Sequence, residues 1–309
     1  MTRKHAHASL LAAAVALSLA VQGAAAGVTK LDAATIGAAA GLSATTTPDG
    51  VVRVGWARTD VPVRVDGTRL DPFAGLGSWA AFTPAMDGAM VMGDIVVFED
   101  EVGPAMDAAF AAGLQVTALH DHFFYDEPRV CFMHVEGTGR PAALAAAVGR
   151  VREAIARVRR ASARPAPGFG GPAPQPGRLS VEPLERALGR AGQVQDGVLK
   201  VTFGREARMH GARLGASMGL ASWAAFSGSD ARAVVDGDFG MAAAEVQPVL
   251  RALRRADIHV VALHNHMMGE QPATYFAHFW GEGPALNLAR GIRAALDEQE
   301  KATRHVAAR

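Results

Sequence analysis

The chain has one cysteine, Cys131. No internal disulfide is possible, so whatever compartment it occupies, bridges do not staple the fold. Cys131 alternates with Phe132 in an apolar run and reads as a small buried hydrophobe. No cysteine follows the N-terminal apolar run, so no lipid anchor is expected there. Charge of one sign is also lacking, the formal net charge being +1. That removes the electrostatic argument for nucleic acid or an anionic membrane as partner. The arginine clusters at 150–160 and 251–255 fall within helical patterns and read as solvated helix faces. Beyond the N-terminus no apolar run approaches the roughly 20 residues of a membrane span. The glycines at 168–171 and 281–283 lack the Lys-Ser/Thr ending of a phosphate loop, and no nucleophile elbow surrounds Ser78 or Ser222.

What the chain does have begins with residues 1–26. Arg3 and Lys4 precede the apolar run 10–21, and Ala24-Ala25-Ala26 precedes Gly27. This pattern reads as a cleavable signal peptide, with a soluble periplasmic or secreted product expected. Residues 161–177 (ASARPAPGFGGPAPQPG) read as a linker without fixed structure. The expected division is a first repeat domain at 27–160 and a second at 178–309.

The two halves repeat at a constant offset of 144, as His264 against His120. Both copies keep GLxSWAAF (from Gly75 and Gly219), Gly-Asp at 93–94 and 237–238, three histidines, and a closing Gly-x-Gly. Each half reads as strands, a helix, a hairpin and a helix. An α+β fold follows: a tandem repeat of an antiparallel sheet with helices on one face, ferredoxin-like (β-α-β-β-α) in each half. The two repeats are expected to pack on each other about a pseudo-twofold axis.

The most informative stretch is 260–281, VVALHNHMMGEQPATYFAHFWG. It reads as a β-hairpin. Alternation puts His264 and His266 on one face. A turn centred on Gln271 sets His264 opposite His278. His120, His122 and His134 repeat the spacing. Three imidazoles from two adjacent strands suit a divalent transition metal, zinc first among them. Glu270, with Asp126 in its place in the first copy, lies in the turn. It is a candidate fourth ligand, supporting partner or general base, and the one catalytic candidate. Asn265 points to the other face. Asp94 and Asp238 read as turn or cap residues, and Trp79 and Trp223 as core packing.

The motif VxALHNHMxGExP…YFxHFWG, followed by ALNLARGIRAALD, resembles the signature of the LppY/LpqO-like proteins. EVQPVLRALRRADIHVVALHNH and RALGRAGQVQDGVLKV fit as well. The resemblance implies an exported bacterial protein, often with two copies of a domain of unknown function; some relatives are lipoproteins. It implies no reaction. Asp121 stands where the second copy has Asn265, so the first copy departs from the motif. Three functions stay open: a metal-dependent hydrolase or lyase, a non-catalytic metal- or small-ligand-binding protein, and an envelope interaction protein with structural histidines.

Overall fold

The structure is a computed structural model that describes residues 30–86, 88–170 and 177–307. The expected signal peptide, and residues 171–176 of the expected linker, lie outside the described residues. No helix among the described residues is long and apolar enough to cross a membrane.

The first half opens with α1 (Ala33–Ala40), held by Asp32, whose carboxylate accepts the N–H groups of Ala34 and Thr35. Strands β1 (Ala44–Thr46), β2 (Val52–Ala57), β3 (Arg64–Val65) and β4 (Thr68–Arg69) follow, then the short α2 (Pro72–Gly75). Next come β5 (Gly77–Ala85), β6 (Gly88–Phe98), α3 (Glu99–Ala111), β7 (Gln115–Asp121), β8 (Asp126–Glu127), β9 (Val130–Gly139) and α4 (Pro141–Ala161). The second half runs through α5 (Val181–Leu188), β10 (Gln193–Gln195), β11 (Val198–Gly204), β12 (Ala207–Met209) and β13 (Ala212–Leu214). It continues with β14 (Ala221–Gly228), β15 (Ala233–Ala242), α6 (Ala243–Arg255), β16 (His259–Asn265), β17 (Thr274–Gly283) and α7 (Ala285–Ala307).

The result is mixed α+β and mostly antiparallel. Among the described residues, twelve strands form one sheet in the order β1-β2-β5-β6-β9-β7-β16-β17-β15-β14-β11-β10. The halves meet at β7 and β16, where Leu119 pairs with its own counterpart Leu263, as a pseudo-twofold requires. One apolar core runs beneath both halves on the helix-covered face, from Ile36 and Met133 to Phe279 and Ile292. The opposite face carries two small satellite cores. One joins Val61, Val63 and Leu76 to Phe98 and Phe132; the other joins Leu214 and Leu220 to Phe276. Short strands β3 and β4 with β8, and β12 with β13, overlie that face, so the residues at 61–65 form less strand than their β-branched run suggests.

Of the arginine clusters, Arg150, Arg157, Arg160 and Arg255 are exposed as expected of solvated faces, while Arg159, Arg251 and Arg254 depart from that reading. Arg159 is buried, its guanidinium against Asp100 and Glu101. Arg254 makes a two-pronged bond to Asp107 of the other repeat, and Arg251 donates to the carbonyls of Phe110 and Leu114. These arginines serve the inter-helix seams because α3 and α6 lie side by side across the pseudo-axis. Within 162–170, Ala166 N–H donates to Asp100 and the Phe169 ring stacks on His259.

Candidate metal centre

Each hairpin changes register part-way. Val260 opposes Phe279, but Ala262 opposes His278, so Val261 is one residue too many. Thr117 is the extra residue in the first copy, between Val116–Val135 and Ala118–His134. This bulge decides the site. Carried on unchanged, the first register would set His264 against Tyr275 and turn it to the helix side. With the bulge, His264 opposes Phe276 and shares the open face with His278.

The sequence-based register therefore needs correction. His264 does not oppose His278; it opposes Phe276, and His278 opposes Ala262. The hairpin turns closer to Glu270, whose buried carboxylate accepts the Thr274 N–H at 2.7 Å. The shift is two residues, so all three histidines stay on one face.

In the second copy, ligand nitrogens of His264, His266 and His278 lie within 4.8 Å of one another. In the first, His120 Nε2 and His122 Nε2 are 3.2 Å apart. Two ligands of one tetrahedral zinc, each about 2.05 Å from it, stand about 3.3 Å apart. Ring centroids of the first and second histidine, and of the first and third, are 5.1 Å apart in both copies. The middle histidine lies flat on a phenylalanine: His122 on Phe132 at 3.3 Å, His266 on Phe276 at 3.4 Å between centroids. The stack fixes the ring's plane while its edge faces the other two. Burial, and the neighbouring rings, push the pKa values of His120 and His264 below the usual range; burial does so for His266.

Glu270 and Asp126 are tied to the turn. Asp126 accepts the Val130 N–H as Glu270 accepts that of Thr274. Asn265 points away and donates to the Met267 carbonyl.

A second carboxylate in each copy stands beside the triad. Asp94 and Asp238 are neither turn nor cap residues; they stand mid-strand, directly across from His134 and His278. Asp94 Oδ1 is 3.7 Å from His134 Nε2, and Asp238 Oδ2 is 3.7 Å from His266 Nε2. Both are buried, and Oδ1 of each has no hydrogen-bond partner. Burial raises the pKa of Asp238. Position 237 takes glycine because a Cβ there would fall 2.2 Å from the Phe279 ring. The sequence signal for these aspartates was present, since Gly-Asp recurs at the common offset. Trp79 and Trp223 complete each row, next to Asp94 and Asp238, with Arg53 and Lys200 over their rings rather than wholly in the core.

Fold and site together define an α+β protein of two fused repeats, each with an imidazole triad and a buried aspartate on the open face of a shared sheet. The chain belongs to the family described as Domain of Unknown Function (DUF1259), matched twice, over residues 34–154 and 182–298. No curated protein matches it. Among solved structures it is similar to a trimeric bacterial microcompartment shell protein, PduB. That match has 11% identity and a TM-score of 0.19, covering 85% of this chain and 92% of that one. It is similar to EtuB from Clostridium kluyveri at 12% identity, with the same coverage and score. Likeness at that level carries no argument about this protein.

Proposed function

We propose that the protein holds one divalent transition metal, zinc first among candidates, on the imidazole triad of each repeat. One observation carries the reading: three converging imidazoles border a buried aspartate whose Oδ1 has no partner. A buried carboxylate oxygen without a hydrogen bond is costly, and a cation relieves that cost. The donor set fits the group, since neutral imidazole and carboxylate are ordinary zinc ligands. Zinc would supply Lewis acidity for a hydrolytic or lyase reaction. Asp238, and Asp94 in the first repeat, are placed to ligate or to hold a proton beside the triad. In this reading Glu270 and Asp126 hold the turn that presents it. The flat stacking of His266 on Phe276 favours a second reading, non-catalytic binding of metal or a small ligand, with the rings held by packing.

The LppY/LpqO-like signature and the basic, apolar N-terminus support an exported protein, periplasmic or secreted. The order β6-β9-β7 sets two parallel strands about an antiparallel third, with α3 crossing between them. That arrangement supports a ferredoxin-like core in each repeat.

Elemental analysis of untagged protein is the test. Wild type is expected to carry two ions per chain, and His266→Ala one, with an unchanged circular dichroism spectrum because backbone bonds build the sheet. Equal metal in wild type and a variant lacking all six histidines would end the proposal. The pH response has a defined sign. Depressed pKa values keep His120, His264 and His266 neutral, hence metal-competent, to lower pH than free imidazole. Occupancy measured after dialysis against a fixed free-zinc concentration should fall as pH drops through the imidazole range, and occupancy that ignores pH there contradicts the arrangement.

A further inference from the structure

On the helix side of the sheet, away from the imidazoles, a cavity of about 130 Å³ lies at the seam between repeats. Its walls include Gly103, Cys131, Arg254 and Val260, and the Phe169–His259 stack closes one side. Its origin is a break in the pseudo-symmetry. The counterpart of Gly103 is Gln247, and that of Cys131 is Tyr275. Gln247 reaches across the seam to Val116, the counterpart of Val260. Val116 N–H donates to Gln247 Oε1 at 3.1 Å, and Gln247 Nε2 donates to the Val116 carbonyl at 2.7 Å. One carboxamide thus satisfies both polar groups of one peptide edge.

On the other side of the pseudo-axis the register is the same, Val260 opposing Phe279 as Val116 opposes Val135. The polar edge of Val260 therefore faces the seam as that of Val116 does. With glycine at 103, no side chain reaches it from that position. The charged groups are already matched: Arg129 with Asp121 and Glu99, Arg254 with Asp107. A neutral ligand suits such walls better than an ion.

We infer that this cavity is a binding site for a small primary carboxamide, its amide taking on Val260 the place that Gln247 takes on Val116. Size agrees: an engineered cavity of about 150 Å³ admits benzene, so on the order of six heavy atoms fit. The ligand's apolar part lies against Met106 and Val102, and its flat face meets Phe169.

The test is a titration of the full chain with isobutyramide, followed by the backbone amide resonance of Val260 and by calorimetry. One saturable site per chain is expected, with the Val260 resonance moving. Isobutyrate, which offers no donor and brings a charge, is expected to bind about tenfold more weakly or worse. Gly103→Gln should abolish binding by supplying its own carboxamide; Arg254, 3.1 Å from a Cβ there, needs to shift only at its flexible tip. Cys131→Tyr fills the same space independently and should also abolish it. No saturable binding to wild type, equal affinity for amide and acid, or unchanged binding in a folded filling variant would each overturn the assignment.

Discussion

Glu101→Ala is expected to lower the free energy of unfolding by about 3–5 kcal/mol, the usual cost of leaving buried charges without their partner. Glu101 is fully buried in the first turn of α3. Its carboxylate accepts from Arg58 Nη1 at 2.6 Å, Arg58 Nη2 at 2.9 Å and the Phe98 N–H at 2.9 Å. Arg159 Nε approaches it at 2.8 Å. Removing the acid takes one carboxylate from each of two buried guanidinium groups; Arg58 keeps Asp60 and the Val96 carbonyl, and Arg159 keeps Asp100. The consequence reaches the site, because α3 is the crossover from β6, which carries Asp94, to β7, which carries His120. Urea unfolding checks the prediction as a lower midpoint at an unchanged slope. Glu182→Ala is the control: its pair with Arg186 is exposed and worth about 0.3–0.5 kcal/mol. If the two variants lose equal stability, the buried network does not hold this end of the helix.

Much of this architecture is written in local patterns. Asp32 before an alanine run and Gly41 after it mark α1. Acidic residues after Phe98 and Gly113 beyond Ala112 bracket α3. The hairpins are visible because apolar, aromatic runs lie on either side of a polar, Pro-containing break, and the duplication shows because the offset of 144 holds without a gap over a long stretch. Three things were not legible, each because it depends on a non-local partner. A bulge is invisible to alternation counted along one strand, since it exists only relative to the strand opposite. Alternation gives His264 its face without giving its partner, because a two-residue shift of register preserves parity. Asp238 looked like a turn residue because Gly-Asp is common turn chemistry. What overrides that is strand pairing on both sides, Gly237 with Ala224 and Phe279, which keeps the chain extended and sets Asp238 across from His278. The Arg251–Arg255 run looked like a solvated face because nothing in it announces that a second helix lies alongside.

Asp238→Asn is expected to act with opposite signs on the apo and metal-loaded protein. It is best measured where His120, His122 and His134 are alanine, so that only the second site reports. In the apo protein burial raises the Asp238 pKa above its unfolded value. The folded state then prefers the proton; that preference contributes stability below the unfolded pKa and is lost as pH rises through the folded one. Once pH has passed the folded value, the ionised carboxylate with its partnerless Oδ1 therefore destabilises the fold. An uncharged amide in its place should then raise apo stability by roughly 1–3 kcal/mol, because it removes the desolvated charge while leaving the site polar. Zinc binding should weaken instead, because the triad loses its neighbouring negative charge. Loss of a supporting carboxylate typically costs 10–100-fold in metal affinity. At a zinc concentration 100 times the parental Kd, the ion stabilises the parent by about 2.7 kcal/mol, and the variant by only about 0.4–1.4 kcal/mol. Thermal or urea unfolding with and without zinc reads both numbers from one pair of proteins. A variant less stable than its parent without metal, yet stabilised equally by zinc, would show that Asp238 is a structural residue and that the imidazoles act without it.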